Sequence, residues 1–430
     1  MVIDLHQVVR LLLTDFWRHC VMISKADVIV IGSGALGAAT AYYLSKRKGL
    51  SVALLDKHDL GSQTSPRAAG MVSCVRKSDL MIGLIKDACR KIEAFTEETG
   101  QPLDWVDSGS LKIARRPQDA EIIEADFERG RRMGLDVELI SPAQANRLNP
   151  FLKPTGVVAA MRIGDDRYFD PAQVAIGFAR AAANRGATVL PKTDVLTVNI
   201  SAGKVTGVTT AKGRIEGPVV VDAAGTWTRQ VAEASGIRVP LVPTRQQLIV
   251  TEPLDGARAD LPMVRIMDAA VYARPCQGGF LWGVYEETPR FFDMQSLGPS
   301  FDIKDMPLDI EVLRSAAADV KDQLPVLQTA KVREFRGGIP TMTADGHHIL
   351  GPAPERPASI LPAGAMSPDF QSRQRSERRL RLGFSMASRL SIYRQCLSCA
   401  SKTNRGLNRN WRGKPPGNIG TSTARSDFSW

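Results

Sequence analysis

The chain has 430 residues, 43% of them hydrophobic, enough to bury a large core and to build two or three domains. Of its 56 Lys and Arg and 45 Asp and Glu, 13 and 3 fall in residues 366–430, which leaves 43 and 42 elsewhere, so the net charge of +11 belongs to one segment. A neutral body argues against nucleic-acid binding, and no apolar run reaches the ~20 residues of a membrane-spanning helix.

Residues 1–21 carry Asp4, Asp15, Arg18 and His19 without a small-residue cleavage site, which argues against a secretory signal. Met22 is a natural start, so 1–21 reads as an N-terminal extension. Ala26–Ile31 is a short apolar run suited to a buried parallel strand. Gly32, Gly34 and Gly37 follow in G-x-G-x-x-G spacing, then a helical stretch from Ala35 and Leu36 onward, then a strand Ser51–Leu55 closed by Asp56. This pattern predicts a dinucleotide site. Gly32 permits the tight turn, Gly34 lets the backbone approach a pyrophosphate, and Gly37 lets the helix pack close with its N-terminal N–H groups facing the charge. Asp56 stands where an acid meets a ribose hydroxyl.

Gly61–Arg76 reads as a loop of small and polar residues. Ser78–Gly100 has helical periodicity, with Leu80, Leu84, Ile85, Ala88, Ile92 and Phe95 on one side. A strand at Ser110–Arg115, an amphipathic helix at Gln118–Gly134 and a capped helix starting at Ser141-Pro142 come next. Asp170-Pro171 opens another helix, and a compact β region runs to Gly225. After a helix at 227–236, residues 241–253 read as one long strand and Val271–Glu286 as a hairpin. A helix at 308–324 precedes the return of the chain towards the first domain at 331–354. The six cysteines are scattered, and Cys396-x-x-Cys399 has no second pair. The pattern fits a reducing, cytoplasmic compartment with no metal site.

The expected fold class is α/β, a Rossmann-like dinucleotide domain interleaved with an antiparallel-sheet (α+β) substrate domain. Residues 22–103, 166–239 and 337–365 are assigned to the first, and 104–165 with 240–336 to the second.

These blocks together resemble the D-amino-acid-oxidase-like superfamily of FAD enzymes, especially its sarcosine and dimethylglycine dehydrogenase branch. The resemblance covers about residues 24–365. It rests on VIVIGSGALGAATAYYL, GSQTSPRAAG, DPAQVAIGFARAAANRGA, VVVDAAGTWT, PTRQQLIVTEP, YARP followed by GG-x-LWG, and DGHHILGP. It implies FAD as cofactor, with Val195 touching the adenine and Ala224 and Gly225 passing beside the dinucleotide. The turn Thr64, Ser65, Arg67, Ala68, Ala69 and Gly70 would run next to the flavin. Lys57, Trp227, Gly338 and Gly364 complete the implied cofactor set. Relatives with covalent flavin have a His where this chain has Arg67, so noncovalent FAD is expected.

The implied reaction is hydride transfer from the carbon beside an amine to flavin N5, on a secondary or N-methylated amino acid. A D-amino-acid or glycine oxidase or dehydrogenase, and a non-catalytic remnant, are the alternatives. Arg is suited to a substrate carboxylate: Arg274, with neighbouring Tyr272, is the first candidate and Arg245 the second. His347 and His348 are expected in a turn near the flavin, in a positioning role. The expected partners are the small-molecule amine and an electron acceptor or partner subunit, with no nucleic acid.

After residue 364 the chain departs from the family pattern, which continues with a glycine turn and a helix. Reading plausible codons for Ala365–Ser372 two bases later yields Asn-Val-Ala-Gly-Leu-Ser-Ile, which resembles the missing turn. Residues 366–430 are therefore expected to be an out-of-frame, Arg/Ser-rich and disordered tail, the alternative being a basic arm. On that expectation the chain binds FAD weakly or folds poorly.

Overall fold

The computed structural model describes residues 23–343, 348–353 and 356–360. The expectations placed on residues 1–21, His347, Gly364 and 366–430 lie outside them.

Strands β1 (Val28–Ile31) and β2 (Val52–Leu55) are four apolar residues each, all buried. Burial on both faces is the condition of an inner parallel strand. The two pair in parallel with Val28 opposite Val52, and helix α1 (Ala35–Ser45) makes the crossover. On the other side of β1 lies Val219–Asp222, also parallel, with Val28 opposite Val219. Across the whole sheet the order is Pro352–Ala353, Arg356–Ile360, Val219–Asp222, β1, β2 and Thr188–Leu190. Its one antiparallel pair is the edge hairpin of the first two.

Each face of this sheet is covered. Helix Pro171–Asn184, whose first turn is capped by the Asp170 carboxylate accepting from the Ala172 N–H, packs Phe178 and Ala182 against Ala38 and Tyr42 of α1. On the opposite face a meander of Val195–Ser201, Lys204–Thr210 and Gly213–Glu216 sets Val198, Val208 and Ile215 against Ile29, Ile31 and Leu55. A three-layer arrangement results.

The second large sheet has eight strands in the order Val332–Gly338, Gln246–Thr251, Gly279–Val284, Val271–Cys276, Met263–Ile266, Ser110–Ala114, Ala159–Ile163 and Val137–Ile140. It is antiparallel except where Met263–Ile266 meets Ser110–Ala114 in parallel. No hairpin joins those two strands, because parallel neighbours need a long crossover connection. Period-two alternation splits its faces. Ile249 and Trp282 pack under helix Ile310–Asp319 with Leu313 and Ala317. Leu248, Val250, Tyr272 and Leu281 face Met71 and Tyr168 of a small sheet formed by Met71–Val72, Arg167–Phe169 and Trp105–Val106.

Three local expectations change. The helix expected at Ser78–Gly100 is two, Asp79–Glu93 and Phe95–Thr99, ended by Gly100 at φ 67°. Its buried stripe is Ile82, Ile85, Ala88, Ile92 and Phe95, while Leu80 is 65% exposed, because a residue two positions from Ile82 lies across the helix. The strand expected at 241–253 breaks at Thr244: Val242–Pro243 pairs with Thr341–Met342, and only Gln246–Thr251 enters the large sheet.

Candidate active site

The glycine corner has the tight geometry its spacing suggests. Gly32 sits at φ 94°, and a Cβ there would lie 2.4 Å from the Ala223 carbonyl oxygen. A Cβ at Gly37 would lie 1.8 Å from the Gly32 carbonyl oxygen, so α1 can start this close to the turn only with glycine. Gly34 caps α1, whose first turn holds no acidic residue, so the positive helix end is left to face an anion. The Ala35 N–H donates to Ser65 Oγ at 3.0 Å, which ties the following loop to the helix start.

Asp56 is held by three donors. Its Oδ2 accepts from the Ser33 N–H at 2.7 Å and the Ser33 hydroxyl at 2.6 Å, and its Oδ1 from the His58 N–H at 2.8 Å. Burial nevertheless pushes its carboxyl above the ordinary range. Beside it, the Lys57 ammonium lies 4.0 Å over the Trp227 ring, and burial lowers its affinity for the proton.

These groups border one cleft of about 470 Å³. From the β1–α1–β2 unit come Gly32, Gly34, Ala35, Leu36, Asp56 and Lys57. Thr64 and Ser65 come from the loop, Val195 from the meander, and Ala224, Gly225 and Trp227 from the end of Val219–Asp222. Gly37 lies beneath the floor and shapes it through packing. At the same sheet end Asp222 is fully buried, and burial pushes its carboxyl up to about 7, although it accepts from the Ala224 N–H at 3.1 Å.

A second, small cavity shares Thr64 and Pro340 with the cleft. Arg67, Ala68, Ala69, Gly70, Gly338 and Tyr272 line it. Gln246, Leu248 and Tyr285 line it as well, and sequence reading missed all three. Alternation along Gln246–Thr251 hinted that 246 and 248 share a face, but not which face looked inward. Burial of Tyr272 pushes its phenol far above the ordinary value.

The two arginines expected to meet a carboxylate are placed otherwise. Arg274 Nε donates to the Ala69 carbonyl at 2.5 Å and Nη1 to the Pro275 carbonyl at 2.7 Å, with the guanidinium 4.7 Å over the Tyr168 ring. It braces the Ala68–Gly70 turn from behind. Arg245 is paired fork to fork with the buried Glu286, at 2.9 and 2.7 Å. Neither arginine, nor the half-buried His348, lines the cleft or the small cavity. Among the described residues no group of His, Cys, Asp and Glu could hold a metal ion, and no helix is long and apolar enough to cross a membrane.

Residues 27–372 match the family of FAD dependent oxidoreductases. The chain is 31% identical over 347 residues to human mitochondrial sarcosine dehydrogenase, covering 79% of this chain and 38% of that protein. It is 27% identical over 347 residues to the mouse mitochondrial pyruvate dehydrogenase phosphatase regulatory subunit, covering 80% and 39%. The chain thus spans less than two fifths of the length of these relatives. Among solved structures it is similar to L-proline dehydrogenase from P. horikoshii, with a TM-score of 0.75 at 22% identity over 89% of this chain and 95% of that one.

Proposed function

The chain belongs to the FAD dependent oxidoreductase family, and from that premise we propose that it oxidises the C–N bond of a secondary or N-methylated amino acid. The observation that carries this reading is the convergence of Gly34, Asp56, Val195 and Ala224 on one cleft that opens, at Thr64 and Pro340, into a small cavity lined by Arg67 and Tyr272. A cleft of this size falls in the range of cofactor sites.

The residues fit FAD. The helix end at Gly34 suits a diphosphate, Asp56 Oδ1 has acceptor capacity for a ribose hydroxyl, and Val195 offers an apolar wall for an adenine. Arg67 can form no histidyl-type bond, so the cofactor is held noncovalently. When bound, FAD supplies a two-electron acceptor for the hydrogen on the carbon beside nitrogen. The protein's share is binding and protonation control. The apolar walls at Leu248 and Met71 disfavour an ammonium and so favour the neutral amine, the form with a lone pair to release. The Thr64–Gly70 turn holds the substrate end of the site. It is fixed by Thr64 Oγ1 donating to the Ile339 carbonyl at 3.2 Å and by Arg274 bonding the Ala69 carbonyl.

The two large sheets correspond, on this reading, to cofactor and substrate domains assembled from alternating chain segments. Cys74, Cys89 and Cys276 are free thiols, in keeping with a reducing compartment such as the cytoplasm. A second reading, a flavin-holding chain without turnover, is favoured by the likeness to a regulatory subunit. Purified protein decides between them. The proposed enzyme is yellow and loses its flavin absorbance when N-methylglycine is added without oxygen. A yellow protein that no primary, secondary or tertiary amino acid bleaches supports the second reading.

A further inference from the structure

Two thiols meet in the packed interior, outside both cavities. Cys74 follows the strand Met71–Val72, Cys89 stands in the helix Asp79–Glu93, and their Sγ atoms are 3.8 Å apart. Neither residue lines the cleft or the small cavity. A buried free cysteine is often only a small apolar filler. Three observations set this pair apart.

The first is chemical asymmetry. Cys74 Sγ lies 3.2 Å from the Asp165 carbonyl oxygen as well as 3.8 Å from Cys89 Sγ, so its proton has two acceptors. The contact with Cys89, burial and the nearby Asp166 carboxylate raise the Cys74 thiol above its ordinary value. For Cys89 the same contact and the Arg167 guanidinium outweigh burial, Asp166 and Glu93, and lower the thiol. One partner keeps its proton while the other gives it up more readily, which divides the pair into an attacking and a resolving sulfur.

The second is depth. One helical turn beyond Cys89, the exposed Glu93 pairs with Arg167 at 2.5 Å, and Arg167 also meets the exposed Asp107 at 3.2 Å. Cys89 lies one layer beneath that surface group, 7% exposed, with Cys74 behind it at 1%. The third is freedom to move. A disulfide needs about 2.05 Å between sulfurs, so the pair must close by roughly 1.8 Å. Residues 73–77 belong to no helix or strand, and the loop that carries Cys74 can supply the shift while the helix stays.

We propose that Cys74 and Cys89 form a reversible disulfide when the chain meets a hydroperoxide, Cys89 attacking and Cys74 resolving. The Cys89 thiolate attacks one peroxide oxygen, the O–O bond breaks, and the departing hydroxide takes up the Cys89 proton as water. Cys89 is left as a sulfenic acid. The Cys74 sulfur then attacks the Cys89 sulfur, the S–O bond breaks, and hydroxide leaves with the Cys74 proton as a second water. Two electrons pass from the sulfurs to the peroxide. The new bond closes a loop between residues 15 positions apart and pins the segment that follows Met71, a wall of the small cavity. The proposal holds whatever the cleft binds.

The test is peptide mapping of the full chain, reduced, freed of reductant and treated with stoichiometric hydrogen peroxide. Tryptic digestion without reductant should yield Ala68–Arg76 joined to Asp87–Arg90, lighter than their sum by two hydrogens. Dithiothreitol should separate them. In Cys74→Ser, dimedone should trap a sulfenic acid on Cys89, and in Cys89→Ser the label on Cys74 should be about tenfold weaker or less. The oxidised chain should melt several degrees above the reduced one, because the bond restricts the unfolded chain. Should a serine variant fail to fold, as judged by thermal melting, the alanine variant replaces it, and the joined peptide from the unmodified chain needs neither. Thiols that remain open to alkylation after peroxide, or a main product that pairs either cysteine elsewhere, overturn the proposal. So do equal dimedone labels in the two variants, or an oxidised chain that melts no higher.

Discussion

Single residues set the limits of this site. Gly37 has no room for a methyl group, because the Gly32 carbonyl oxygen occupies the space. Gly37→Ala must push α1 away from the turn, at a cost of about 1–3 kcal/mol. The expected outcome is a lower urea midpoint together with loss of flavin on gel filtration. Asp222 gives a pH signature. Folded, it holds its proton to about pH 7, against an ordinary value of 3.8. Between those values the unfolded chain has released a proton that the folded chain keeps, so stability falls as pH rises, by about 4 kcal/mol at most. Asp222→Asn removes that penalty and can still accept the Ala224 N–H. Its melting temperature should exceed that of the unmodified chain at pH 8, and the difference should vanish near pH 4. A difference independent of pH would refute the assignment.

At the scale of elements, the site hangs on the joint between strands Gln246–Thr251 and Gly279–Val284. Arg245 and Glu286 flank that joint and are both buried, with Gln247 Nε2 adding a hydrogen bond to Glu286 at 3.0 Å. Arg245→Met leaves Glu286 buried and without its cation, so chemical denaturation should show a loss of about 3–5 kcal/mol. Adding Glu286→Leu should recover much of it, because two apolar residues carry no desolvation cost. Recovery in the double variant identifies the pair as structural, and no recovery would point to a direct role for Arg245. Legibility in sequence followed the same division. The Asp170-Pro171 and Ser141-Pro142 helix starts and the Val271–Glu286 hairpin were readable from capping and turn residues within a few positions. The parallel neighbours Met263–Ile266 and Ser110–Ala114 were not, since no short-range signal links residues about 150 positions apart.

For the whole molecule, the cleft makes cofactor and fold interdependent. A ligand that binds only the folded chain stabilises it, by about 2.7 kcal/mol at a hundredfold excess over its dissociation constant. The melting temperature should therefore climb with added FAD, and Gly37→Ala should blunt the climb. A melting temperature indifferent to FAD would remove the cofactor from the cleft. The glycine corner, Asp56 and the segments that would meet there were determined by the sequence alone. Each is a local requirement: a positive φ at Gly32, no side chain at Gly37, an acid at the end of β2. Which arginine lines the small cavity was decided only by the tertiary structure. Arg274, Arg67 and Gln246 come from three separate stretches, and strand register and the brace between Arg274 and Ala69 determine which of them reach the cavity. Side-chain direction in a sheet reverses with a shift of one residue, and that shift is settled by packing between distant parts of the chain.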